Sequence, residues 1–90
     1  MDKQPQIIDG TLKLTPSFEV WDEYDEYLGY IRPNDWEDGK WEAVVLIDKE
    51  RWEMRKIKDI YNTKEEAVKV IRDIRNFLPF LRKKATTFRW

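Results

Sequence analysis

The chain has 90 residues, of which 41% are hydrophobic and 39% are charged, and its formal net charge is −1. This length fits one domain with a single modest core, and the hydrophobic content is too high for a disordered chain. The sequence contains no cysteine and no histidine. Their absence excludes disulfides, thiolate and imidazole chemistry, and zinc sites built from those residues.

Residues 1–16 are predicted to form a hairpin or an irregular arm. Asp9 and Gly10 stand between two apolar segments, which is the usual pattern of a tight hairpin turn. Pro16 interrupts the pattern, because proline has no backbone N–H to donate to a neighbouring strand. The sheet proper is therefore expected to begin at residue 17.

The next region contains two predicted strands, a loop and a central strand. Apolar and polar residues alternate over residues 18–24, and residues 28–32 form a second short apolar segment. Residues 33–39 are rich in turn-forming residues and predict a loop around Trp36. Residues 40–48 predict the central strand, because their middle is β-branched and apolar on both faces.

Residues 51–60 fit either a strand or an amphipathic helix. Trp52, Met54 and Lys56 alternate as in a strand, whereas Met54 and Ile57 also lie close in angle on a helix. We favour the strand, in which a two-residue loop at 49–50 pairs apolar residues: Ile47 with Trp52 and Val45 with Met54. In this register the helix covers those pairs, and the opposite face of the sheet carries Glu42, Val44, Leu46, Glu53, Arg55 and Ile57, joined by Tyr30 and Arg32.

Residues 63–78 are predicted to form the main helix. Thr63 and Glu66 have the spacing of a reciprocal helix cap. Pro79 is expected to end or kink the helix, which leaves residues 82–90 as a basic tail that is dispensable for folding. Apolar residues recur at intervals of three and four, at Ala67, Val70 or Ile71, Ile74, and Phe77 or Leu78.

Together these elements predict a single domain of the α+β class. A small antiparallel sheet of three to five strands, formed by residues 17–60, carries one main amphipathic helix packed on one face. The sequence has no window of the ~20 apolar residues that a membrane helix needs, and it does not begin with a basic segment followed by an apolar stretch. We therefore expect a cytoplasmic protein without a membrane partner.

Catalysis, cofactor binding and metal binding all lack support in the sequence. The three glycines, Gly10, Gly29 and Gly39, are scattered, and none opens the helix as a phosphate-binding loop requires. Ser17 has no histidine or cysteine to act with it. The acidic segments lack the ligand spacing of a calcium loop. We therefore predict a non-enzymatic protein with no catalytic residue, no cofactor and no metal.

Charge is strongly segregated along the chain. Residues 1–50 carry 13 acidic and 5 basic side chains, a net charge of −8, whereas residues 51–90 carry 5 acidic and 12 basic ones, a net charge of +7. Acidic residues interleaved with exposed aromatic rings are suited to docking a protein partner. The first hypothesis is therefore a small interaction module that binds a protein through its charged poles and exposed aromatics, at Trp21, Asp22, Glu23, Tyr24 and Trp36.

The alternative hypothesis is nucleic-acid binding through the basic C-terminal half. Lysine and arginine side chains on the outer side of the helix and in the tail could contact phosphates, and a terminal tryptophan could stack on a base. The residues expected to do so are Lys64, Lys69, Arg72, Arg75, Arg82, Lys83, Lys84, Arg89 and Trp90.

Overall fold

The computed structural model describes residues 4–84 of the chain, and it describes side chains for residues 4–77. Residues 4–84 contain six antiparallel strands and one helix. The strands follow one another in the sheet in sequence order, so that each pairs with its chain neighbours. The elements are β1 (Gln6–Ile8), β2 (Leu12–Leu14), β3 (Glu19–Trp21), β4 (Tyr27–Pro33), β5 (Trp41–Asp48), β6 (Glu53–Lys56) and α1 (Lys64–Lys84).

The predicted fold class is confirmed, but the predicted strand count is wrong. One antiparallel sheet with one helix packed on it is an α+β fold, and the sheet has six strands rather than three to five. The additional strands come from the N-terminal segment, where β1 and β2 form a hairpin around Asp9 and Gly10. Both turn residues have positive φ, which matches a tight hairpin turn. Ile8, Leu12 and Leu14 are buried, so this hairpin belongs to the core.

Strand β3 is shorter than the alternation predicted. Asp22 ends it, because its Oδ1 accepts backbone hydrogen bonds from Tyr24 at 2.8 Å and from Glu26 at 2.9 Å and so forms the turn to β4. The pairing of β3 with β4 also shifts register after Val20. Gly29 lies in this irregular segment, opposite Val45 of the central strand.

Strand β6 has a different register from the predicted one. Asp48 Oδ1 accepts hydrogen bonds from the backbone N–H groups of Glu50 at 3.0 Å and Arg51 at 3.3 Å, which lengthens the turn to residues 49–52. Leu46 is therefore opposite Met54, and a shift of this kind moves every side chain to the other face. The predicted register places four residues on the wrong face. Trp52 is predicted in the core, but it is 62% exposed. Glu53, Arg55 and Ile57 are predicted on the face opposite the helix, but they lie on the side of the sheet that faces it.

Helix α1 begins with a cap close to the predicted one. The Thr63 hydroxyl accepts from the Glu66 N–H at 3.1 Å, and the Glu66 carboxylate accepts from the backbone N–H of Asn62, one residue earlier than predicted, at 2.9 Å. The helix continues to Lys84, so the prediction that it ends near residue 78 is wrong. Pro79 removes a single intrahelical N–H, a loss that a helix of 21 residues accommodates.

The core lies between one face of the sheet and α1. Ala67, Val68 and Ile71 of the helix are completely buried there. The sheet contributes Ile8, Leu12, Leu14, Val20, Leu28, Ile31, Ala43, Val45 and Ile47 to the core.

Residues 82–84 of the predicted tail belong to the helix, and residues 85–90 lie outside the described part of the chain. Across residues 4–84, no helix has both the length and the apolar character needed to cross a membrane.

Candidate protein-interaction site

The loop between β4 and β5 presents Trp36 to solvent in a defined conformation. The Asn34 side-chain oxygen accepts hydrogen bonds from the backbone N–H groups of Trp36 at 2.9 Å and Glu37 at 2.8 Å. The Asn34 backbone N–H donates to the Lys40 carbonyl at 2.9 Å and closes the loop. Trp36 is nevertheless 90% exposed, so these bonds fix the backbone around a ring that packs little against the rest of the fold.

A buried carboxylate ties this loop to the sheet. Glu42 of β5 is only 6% exposed. One carboxylate oxygen accepts from Arg32 Nε at 2.7 Å, and the other accepts from Asn34 Nδ2 at 2.7 Å. The hydrogen bond from Arg32 lowers the pKa of Glu42 below its ordinary value, although burial opposes this shift. The network Arg32, Glu42 and Asn34 therefore holds a charged group in the sheet and orders the loop that carries Trp36.

The surroundings of Trp36 are acidic. Asp35, Glu37 and Asp38 are exposed neighbours in the same loop. Lys40 closes the loop, and its Nζ is hydrogen-bonded to the side-chain oxygen of Asn62. The loop thus combines an apolar ring with several carboxylates, and its one lysine is held against another segment.

The other residues predicted to bind a protein partner lie elsewhere. They belong to β3 and the β3–β4 turn, at the opposite end of β4 from Trp36. Asp22 is used structurally in the turn, whereas Glu23 and Tyr24 are exposed, and a hydrogen bond with Glu23 raises the pKa of Tyr24. Trp21 is half-buried against the Tyr27 ring, with 5.3 Å between ring centroids. The five predicted residues therefore form two separate surfaces.

Among the cations predicted to bind nucleic acid, the structure describes four side chains, and three of these make contacts within the fold. The Lys64 ammonium lies over the rings of Phe18 and Trp41, 5.5 Å and 5.3 Å from their centroids. Arg72 is ion-paired with Asp9 and Asp73, whereas Lys69 is exposed. Arg75 donates to Glu26 at 2.7 Å and to the Leu46 carbonyl at 2.9 Å. The side chains of Arg82, Lys83 and Lys84, and all of Arg89 and Trp90, lie outside the described residues.

A cleft of about 320 Å³ separates the β1–β2 and β3–β4 turns from α1. Its lining carries both signs of charge, since Asp22 and Glu23 stand across from Arg72 and Arg75. Both arginines already have acidic partners, so the cleft offers little net attraction to an anion. Within the described part of the chain, no group of three or more acidic side chains is placed to hold a metal ion.

Sequence reasoning missed an aromatic row on the sheet face opposite the helix, which we call the open face. Tyr27 lies between Trp21 and Trp52, with ring centroids 5.3 Å and 5.8 Å away. The predicted β6 register places Trp52 in the core, and that register is wrong. The residue that could have indicated the longer turn is Asp48, since aspartate favours hydrogen bonds to the backbone of the residues that follow it.

Acid is expected to destabilise the fold. Ion pairs lower the folded-state pKa of Glu42, through Arg32, and of Asp9, through Arg72. A lowered carboxyl pKa contributes stability above the unfolded value of about 4, and this contribution is lost as the pH falls through the folded value. Melting temperatures should therefore change little between about pH 8 and about pH 6 and fall steadily below about pH 4. A melting temperature that rises on acidification to about pH 3 would contradict this expectation.

No protein-family model, no curated protein and no solved structure matches this chain. Its function is therefore inferred from the geometry and charge of the molecule itself.

Proposed function

We propose that this chain is a small non-enzymatic interaction module that binds a basic protein partner through Trp36 and the acidic loop around it. The observation that carries the proposal is a tryptophan that is 90% exposed on a loop ordered by a buried carboxylate. Hydrogen bonds from Arg32 and Asn34 hold the Glu42 carboxylate out of water. They also maintain the loop conformation that has the exposed Trp36 ring at its centre.

A preformed loop favours binding because it reduces the ordering that association requires. Fixing a flexible side chain at an interface costs about 0.5–1.5 kcal/mol, and ordering the backbone of a loop adds to that cost. Here Asn34 holds two backbone N–H groups next to the ring before any partner arrives. Tryptophan is also one of the residue types enriched among the positions that dominate interface energetics, where truncation costs about 2 kcal/mol or more.

The charges around the ring define the chemistry of the partner. Asp35, Glu37 and Asp38 surround Trp36 with carboxylates, so the complementary surface has an apolar pocket bordered by lysine or arginine. The same carboxylates repel phosphate groups, and three of the helix cations are engaged in contacts within the fold. A protein partner is therefore better supported than nucleic acid.

Selection from a random peptide library displayed on phage tests this proposal directly. Peptides selected against the folded protein are expected to combine an apolar residue with lysine or arginine. The Trp36→Ala variant should bind them at least about tenfold more weakly, because the anchoring ring is lost. Its melting temperature should stay close to that of the wild type, since the ring is almost fully exposed.

Trp52→Ala is the matched control, because it removes an exposed tryptophan at the other end of the sheet. It should retain full peptide affinity. Binding should also weaken as salt rises, because the flanking contacts are charged. Enrichment of peptides that lack basic residues, or equal binding by the wild type and Trp36→Ala, would refute the proposal.

A further inference from the structure

Side chains on the open face form rows that cross the sheet. The middle row follows the strand register from β3 to β6: Glu19 is opposite Tyr30, Tyr30 is opposite Val44, and Val44 is opposite Lys56. On one side of it lies the row that contains Trp21, Tyr27, Leu46 and Met54. On the other side lies the pair Arg32 and Glu42.

The centre of this face is apolar although no helix or strand of residues 4–84 lies over it. Val44 and Leu46 are 5% and 1% exposed, yet they alternate with residues whose side chains face the helix. At the margin, the Trp52 side chain is 62% exposed. An apolar centre with an exposed ring at its edge is typical of a sheet face that packs against another protein surface.

We propose that the open face binds a second copy of this chain, about a twofold axis parallel to β4 and β5. Rotation about such an axis reverses the order of the strands, so that β3 of one copy faces β6 of the other and β4 faces β5. The strands of the two copies then stay aligned, which is the common arrangement of two packed sheets about 10 Å apart.

The rows are complementary to themselves in this arrangement. Glu19 meets Lys56 of the second copy, and Tyr30 meets Val44 of the second copy. Trp21 meets Met54, a pairing of an aromatic ring with a thioether that is favourable in itself. Because the interface is symmetric, each of these contacts occurs twice.

The charges distinguish this axis from the perpendicular one. A twofold axis that runs across the strands places Glu19 against Glu19 and Lys56 against Lys56, which are like-charge contacts. The other ionic groups near this face are already balanced within the chain, since Arg32 pairs with Glu42 and Lys13 pairs with Asp25. Glu19 and Lys56 are both exposed. Glu19 accepts a hydrogen bond from the Trp21 indole N–H at 3.3 Å, and Lys56 attracts the Glu42 carboxylate, which is already paired with Arg32. In the dimer, Glu19 and Lys56 of opposite copies form a direct pair.

The size of the surface sets the strength of the contact. Four strands about 4.8 Å apart span roughly 20 Å, but β3 has only three residues and β6 only four. The footprint that all four strands share is therefore roughly 20 Å by 13 Å for each copy. This footprint is smaller than the ~800 Å² per partner of a standard stable interface. The expected assembly is therefore a weak, reversible dimer.

The proposal is tested by sedimentation velocity of the full chain over a range of concentrations, in which the wild type is compared with variants whose charge is reversed at position 19 or 56. The wild type should change from monomer to dimer as concentration rises. Glu19→Lys and Lys56→Glu should each weaken the dimer at least about tenfold, because each places two like-charge pairs in the interface. The double variant restores opposite charges across the axis and should recover most of the wild-type affinity.

Lys69→Glu is the control, because it makes the same change in charge as Lys56→Glu on an exposed position of the helix. It should dimerise as the wild type does. All four variants alter exposed side chains, so thermal melting should show that each is folded. A wild type that stays monomeric at every concentration overturns the proposal. Single variants that dimerise normally, or a double variant weaker than both single ones, would also overturn it.

Discussion

Gly29→Ala is expected to destabilise the protein by at least ~3 kcal/mol, a large fraction of the roughly 5–15 kcal/mol by which folded domains are ordinarily stable. A Cβ at this position would lie 2.2 Å from the Val44 carbonyl oxygen and 3.0 Å from the Val45 Cα. Both atoms belong to the backbone of the central strand, so no side-chain rotation relieves the clash. The φ of +148° adds strain for any residue with a side chain. Equilibrium denaturation in urea measures the effect.

Gly39→Ala is the matched control for that substitution. Gly39 also has a positive φ, but a Cβ there would meet no atom within 4 Å. Its cost should be limited to the left-handed conformation, about 1 kcal/mol. The prediction is wrong if the two variants lose the same free energy of unfolding, because the close approach of β4 and β5 would then not explain the need for glycine at position 29.

Glu42→Gln is expected to lower the free energy of unfolding by about 2 kcal/mol, the value of a hydrogen bond to a buried charge. The glutamine amide has only one oxygen, and the charged Arg32 guanidinium competes for it better than the neutral Asn34 amide does. The glutamine NH₂ group then faces Asn34 Nδ2, so Asn34 loses its fixed position and the loop loses the contact that orders it. Amide hydrogen exchange at Trp36 and Glu37 should therefore become faster, and the selected basic peptides should bind more weakly.

Glu50→Gln removes an exposed carboxylate in the β5–β6 turn and serves as the control. It should leave stability, exchange at Trp36 and peptide binding unchanged. Faster exchange without a loss of binding in Glu42→Gln would show that loop order is not needed for recognition. Unchanged exchange would show that Glu42 does not order the loop.

The sequence predicted the parts of the fold that depend on local pattern. The apolar stretch around Val45 identifies the central strand, and Thr63 with Glu66 identifies the start of the helix. The register of β6 depends instead on how many residues the preceding turn contains. Asp48 can cap either a short or a long turn, and hydrophobic pairing favoured the short one. A single-residue error then placed Trp52 on the wrong face.

The candidate site was predictable only in part, for the same reason. The turn-forming residues around Trp36 mark a loop, and the structure shows the ring exposed there. No sequence pattern links Asn34 to Glu42 across eight residues, because that contact requires β4 and β5 to be paired in register. The sequence identifies the basic residues of the helix but not their partners, since Arg72 and Arg75 pair with Asp9 and Glu26, which lie far away along the chain.

The neighbour-to-neighbour order of the strands also determines how the molecule can be made. Each hairpin closes a short loop, so the sheet can grow strand by strand as the chain leaves the ribosome. The helix that covers its apolar side follows all six strands in the chain, and is therefore synthesised after them. Until α1 has emerged, a nearly complete sheet exposes Val20, Ile31 and Val45 to water. Newly made chains are thus most vulnerable to aggregation just before α1 is available.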